Sequence, residues 1–117
     1  MTTAGRHVTV QVTTRGRPFW LPPGGWGNGL DAESWAAVVD VRGELAATLL
    51  LHDLRDAAVP AYAAVLRPPQ PDAAHRRSST GVHVRIWVGN DAYGRARETL
   101  LRALPVLVHL FGSGVVV

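Results

Sequence analysis

Cysteine is absent from the 117 residues, which excludes disulfides, thiolate nucleophiles and cysteine-held zinc. Lysine is absent as well. All 12 basic side chains are arginine, so the pI of about 10.6 reflects the high pKa of guanidinium more than a large excess of charge. A formal net charge of +3 is too small and too dispersed to argue for nucleic acid. No apolar run approaches the roughly 18 residues that a membrane span requires. Met1-Thr2-Thr3-Ala4-Gly5-Arg6 does not open onto a secretory apolar stretch, so a cytoplasmic location is expected. Isoleucine occurs once, at Ile86, while Ala, Val, Gly and Arg are abundant, a composition that fits a high-GC bacterial genome. With 47% apolar and 18% charged residues, the chain reads as one globular domain over 1–117.

The clearest stretch runs from Thr80 to Gly112. Val82, Val84, Ile86 and Val88 alternate with His83, Arg85 and Trp87, the period of a strand with one buried face. Asn90-Asp91 then offers a helix cap, and Tyr93, Ala96, Leu100, Leu104, Leu107 and Phe111 recur at helical spacing up to Gly112. Pro105 predicts a bend in this helix. A second alternating strand is read at 7–14, where Val8, Val10 and Val12 interleave with His7, Thr9, Gln11 and Thr13.

Between these lie less legible segments. Residues 18–30 form a Gly/Pro loop with Phe19, Trp20 and Trp26. Its glycines at 25, 27 and 29 are followed by no lysine or hydroxyl residue and preceded by no clear strand, so neither a phosphate loop nor a dinucleotide fingerprint is present. Residues 35–41 and 45–52 read either as a hairpin turning at Arg42-Gly43 or as helix. The hairpin is favoured, because Val38, Val39 and Val41 suit a strand and the strands at 7–14 and 81–89 need partners. Asp53 then caps an expected helix over 54–67, kinked at Pro60 and ended by Pro68-Pro69. Residues 68–80, with His75-Arg76-Arg77, read as a mobile connecting loop. Gly114-Val115-Val116-Val117 suggests a short edge strand or an oligomer contact.

The expected fold is therefore α+β: a two-layer sandwich in which helices at about 54–67 and 92–111 cover one face of a mostly antiparallel sheet. Its strands are expected at about 7–14, 35–41, 45–52 and 81–89, with a further one at 114–117. If the valines face the helices, the opposite sheet face carries His7, Gln11, His83, Arg85 and Trp87, with Trp20 and Trp26 of the loop as further binding candidates. Trp and Arg dominate interface hot spots. A binding module is accordingly favoured, expected to be a homodimer through the open sheet face or the C-terminal strand, with another protein or a small anionic or aromatic ligand as variants. The competing enzyme reading uses His7 or His83 as general acid/base and Arg85 as an anion anchor. An unpartnered wet sheet face is the third. Neither cofactor nor metal is expected: His52-Asp53 is the best local pair, but no HxH or HxxxH spacing accompanies it. The carboxylates Asp40, Glu44, Asp56 and Asp91 fall at expected turns and caps, which disfavours an acid pair. Single-stranded nucleic acid is disfavoured, because Trp87 is the one evident aromatic on that face.

Overall fold

The computed structural model of the chain describes residues 21–66 and 81–117. Their order is β1 (Trp26–Gly27), β2 (Trp35–Arg42), α1 (Glu44–Asp56), β3 (Ala61–Val65), β4 (His83–Gly89) and α2 (Tyr93–Phe111), with 3-10 turns at Asn90–Ala92 and Ser113–Val115. The strands form one sheet in the order β1-β3-β4-β2, and every neighbouring pair is antiparallel. β2 and β3 therefore run parallel with β4 inserted between them, the split β-α-β arrangement. Both helices bury their apolar stripes on one face. Leu50, Leu54 and Ala47 of α1 and Ala96, Leu100 and Leu107 of α2 join Val41, Ala61, Ala63, Val84, Ile86 and Val88 in the main core. This is the two-layer α+β sandwich anticipated from the patterning.

Two segments correct the sequence reading. Residues 45–52 are not a strand: they lie within α1, which runs on to Asp56. Ala46, Ala47 and Leu49 to Leu51 are strong helix formers, and Ala47, Leu50, Leu51 and Leu54 fall on one side of the helix, which is the buried side. Nor does the expected helix over 54–67 form: residues 54–56 close α1, and 57–66 are not helical. Ala58 sits at φ 63, and Val59 N–H bonds Leu54 O while Ala58 N–H bonds Arg55 O, both at 2.9 Å. That is a Schellman cap, which stops α1. Pro60, which could not continue α1, follows the cap, and Ala61–Val65 enters the sheet between β1 and β4. Alanine is a poor strand former in isolation, and here the tertiary setting overrides that tendency: Ala61 and Ala63 lie fully buried beneath α1. Asp53 is consequently a last-turn residue of α1 rather than a cap. Beyond α2 the chain meets the edge of β2 through one bridge, Val116 to Val41, and the Val117 N–H to Asp40 O bond at 3.0 Å, and 113–115 are a 3-10 turn rather than strand. The expected strand at 7–14 and the loop at 68–80 lie outside the described residues.

One buried polar side chain ties the layers together. Asn28 donates from Nδ2 to Leu51 O and Val59 O and accepts at Oδ1 from Ala61 N–H and Leu30 N–H. β1, the end of α1 and the start of β3 thus share one amide. Asn28→Ala should destabilise the protein by about 2–4 kcal/mol in urea unfolding, since buried backbone groups lose their partner. Ala58→Gly should act in the opposite direction, raising stability by about 0.5–1 kcal/mol, because glycine adopts the left-handed cap without the Cβ clash.

Candidate functional site

The sheet face away from the helices is built by strand parity. Val84, Ile86 and Val88 of β4 point into the main core, which turns His83, Arg85 and Trp87 to the other side. Antiparallel register brings their neighbours. Arg85 lies between Asp40 of β2 and Ala64 of β3, and Trp87 lies between Ala37 and Tyr62. A register shift between Ala37 and Val39 inserts Val38 as a bulge. Val38 and Val39 both pack against the main core, and beyond them the strand's phase places Asp40 on the open face.

Half of this face is aromatic and closed. Trp35, Ala64 and Trp87 form a second buried cluster against which Leu21, Ala32 and Tyr62 pack. Trp35 is only 5% exposed and Trp87 8%. Tyr62 stands between the two indoles, 6.5 Å from Trp35 at 60° and 6.1 Å from Trp87 at 53°. Such edge-on pairs contribute about 0.5–1.5 kcal/mol each beyond their burial. The Tyr62 hydroxyl also fastens the preceding loop, accepting from Gly25 N–H at 3.0 Å and donating to Pro22 O. Gly25 is required there, since a Cβ would lie 2.3 Å from Ala63 O. The Trp35 indole N–H is buried and finds no acceptor among the described residues, a local cost of about 1–3 kcal/mol.

The other half is polar. Asp40 Oδ1 accepts from Arg85 Nε at 2.9 Å, and Oδ2 accepts from Arg85 Nη2 at 3.0 Å and lies 2.9 Å from His83 Nε2. An ionised carboxylate can only accept, so His83 donates from Nε2. Burial is the largest single influence on the Asp40 carboxyl and acts to raise its pKa. The hydrogen bonds and charges of Arg85 and His83 together outweigh it, and the pKa falls below the usual 3.8. The bond to Asp40 raises the Arg85 pKa against the opposing effect of burial. The Asp40 side chain is 20% exposed, while Arg85 and His83 keep 40% and 37%.

Of the residues singled out in the sequence, His83, Arg85 and Trp87 share this face, with Trp87 buried in the aromatic half and the other two at the surface of the polar half. Trp26 lies apart, half-buried against the main core with its indole N–H on Thr48 Oγ1 at 3.2 Å. His7, Gln11 and Trp20 lie outside the described residues. Three members escaped the sequence reading. Asp40 had been assigned to a turn, because the bulge at Val38 breaks the alternation that would have exposed its phase. Trp35 escapes because its segment carries no face in the sequence reading, and Tyr62 because the sequence reading puts it on the apolar side of an expected helix. His52 and Asp53 are exposed on α1, and no group of three or more possible metal ligands occurs among the described residues.

Asp40→Asn should lower stability by about 1 kcal/mol near neutral pH, the scale of a partly exposed ion pair. A carboxyl whose folded pKa is depressed stabilises the fold above its unfolded pKa and ceases to do so as pH falls through the folded value. The gap between wild type and Asp40→Asn should therefore be full above 3.8 and close below it. Urea midpoints across that range check this, and a gap indifferent to pH would remove the ion pair from the account. Comparison of the chain with family models, with curated proteins and with solved structures gave no match.

Proposed function

We propose that the chain is a cytoplasmic interaction module that recognises a protein partner through the sheet face carrying Asp40, His83 and Arg85. The observation that carries this reading is the state of Arg85: its guanidinium is held through Nε and Nη2 by one carboxylate, yet the side chain stays 40% exposed. A guanidinium fixed in advance loses little freedom when a partner arrives, and that is how preorganised contacts gain affinity. Beside Asp40, His83 and Arg85, buried Trp35 and Trp87 with half-buried Tyr62 make the other half of the face stiff. Arginine beside aromatic side chains is also the composition of interface hot spots. A small ligand fits less well. The indoles of Trp35 and Trp87 are covered, so neither is open for stacking, and the Nε edge that would fork onto an anion is occupied by Asp40.

A second reading is an enzyme in which His83 is the general acid/base. The 2.9 Å contact between His83 and Asp40 favours it, since a carboxylate on one ring nitrogen orients an imidazole for proton transfer at the other. In that reading Arg85 is a positioning residue for Asp40 rather than a free anion anchor.

The two are separated by photocross-linking. Ala37 is exposed and opposite Trp87 on this face, so a photoreactive phenylalanine analogue placed there would capture a bound partner in host cells. A discrete adduct of defined mass that is lost with Arg85→Ala is the expected result. The same adduct with and without Arg85, or none at all, would overturn the interaction reading.

A further inference from the structure

Asp40 is the one acidic residue in strands β1 to β4, and both of its carboxylate oxygens are taken. Oδ1 accepts from Arg85 Nε, and Oδ2 accepts from Arg85 Nη2 and His83 Nε2. What the polar half of the sheet face still offers is donors. An arginine carries five N–H groups, and Asp40 engages only those on the Nε side of Arg85. The parallel pair at the Nη1/Nη2 end is left, the second edge on which a carboxylate forks.

Arg42 extends this surface. It stands directly opposite His83 in the β2–β4 register, where paired residues share one side of the sheet. Its side chain is exposed, and Nε donates to Gly114 O at 3.0 Å, which holds one edge and leaves the Nη groups. Among the described residues Arg42 forms no ion pair, although exposed Glu44 follows it closely in the chain. Neighbouring register positions therefore gather two guanidinium groups and an imidazole around a single carboxylate that is already saturated. Water screens such a cluster while it is exposed. A partner that covers it must bring negative charge.

We infer that the protein partner proposed for this face docks through an acidic segment, whose carboxylates accept from the Nη1/Nη2 edge of Arg85 and from Arg42. This rests on the face being the interaction surface. Both guanidinium groups are fastened through Nε before a partner arrives, so docking immobilises little that is not already fixed. Charge also selects the occupant. A second copy would bring the same cationic side chains to the axis of a self-complementary contact, and like charges set together there oppose it. Nucleic acid is held on open sheets by bases stacked on exposed rings, and the two indoles of this face are buried.

Selection of a random peptide library on the immobilised full chain, with soluble Arg85→Ala chain as competitor, tests this. The surviving peptides should be enriched in Asp and Glu. For a synthetic survivor, Arg85→Ala and Arg42→Ala should each weaken binding about tenfold, with the circular dichroism of the wild type retained. Replacing its acidic residues by Asn and Gln should cost as much, and added salt should weaken the wild-type complex. Survivors without acidic enrichment, survivors indifferent to Asn and Gln, or survivors that tolerate Arg42→Ala overturn the inference and leave the face an interaction surface. Displacement of the peptide by an equal concentration of inorganic phosphate would assign the guanidinium pair to a small anion and overturn it. So would an Ala37 adduct of twice the chain's mass, which makes the partner a second copy. Failure to recover any peptide that prefers the wild type to Arg85→Ala overturns it as well. If the Ala37 adduct is then also absent, the interaction reading falls with it.

Discussion

A seven-residue strand, β4, has to satisfy two unlike surfaces at once, and the rest of the chain follows from how it does so. Val84, Ile86 and Val88 are sealed under both helices. The residues between them must then point away from the core, because strand side chains alternate without exception along a regular ladder. One of these, Trp87, is too large to stand in water without cost, so Trp35 and Tyr62 close around it. His83 and Arg85 stay at the surface and share the carboxylate that β2 supplies. The sheet is therefore dry on one side, and half dry, half polar on the other.

The polar half differs in kind from the core. Apolar burial is non-directional and tolerates adjustment, whereas Asp40 holds two side chains through three short contacts with fixed donors. Ion pairs this exposed contribute little to overall stability. Their consequence is orientation: the guanidinium and imidazole are presented in one arrangement on a rigid strand. Placement of that kind serves recognition or proton transfer better than it serves folding.

Local residue chemistry explains where the expectations for 45–67 went astray. Leu49-Leu50-Leu51 fits a doubly buried strand or a buried helix equally well. What decides is Gly43, whose positive φ and backbone bond to Val82 O turn the chain out of β2 and into α1 rather than back along a hairpin. Likewise Ala61 to Val65 carries helix-forming residues, yet lies where Pro60 and the left-handed Ala58 have already ended a helix, next to the free side of β4. Small side chains there let α1 lie close over the sheet.

What the amino-acid order determined by itself is the two-faced character of residues 83–89, the long amphipathic helix that follows, and so an α+β sandwich with His83 and Arg85 opposite the helices. Periodicity records which side of an element is apolar, and that information is local. Only tertiary structure decided that Asp40 meets Arg85, that Tyr62 stands between two tryptophans, and that Trp26 belongs to the other side of the sheet. Those relations depend on strand order, on a bulge at Val38 and on register across segments more than twenty residues apart, and no local pattern encodes which strand will lie beside which.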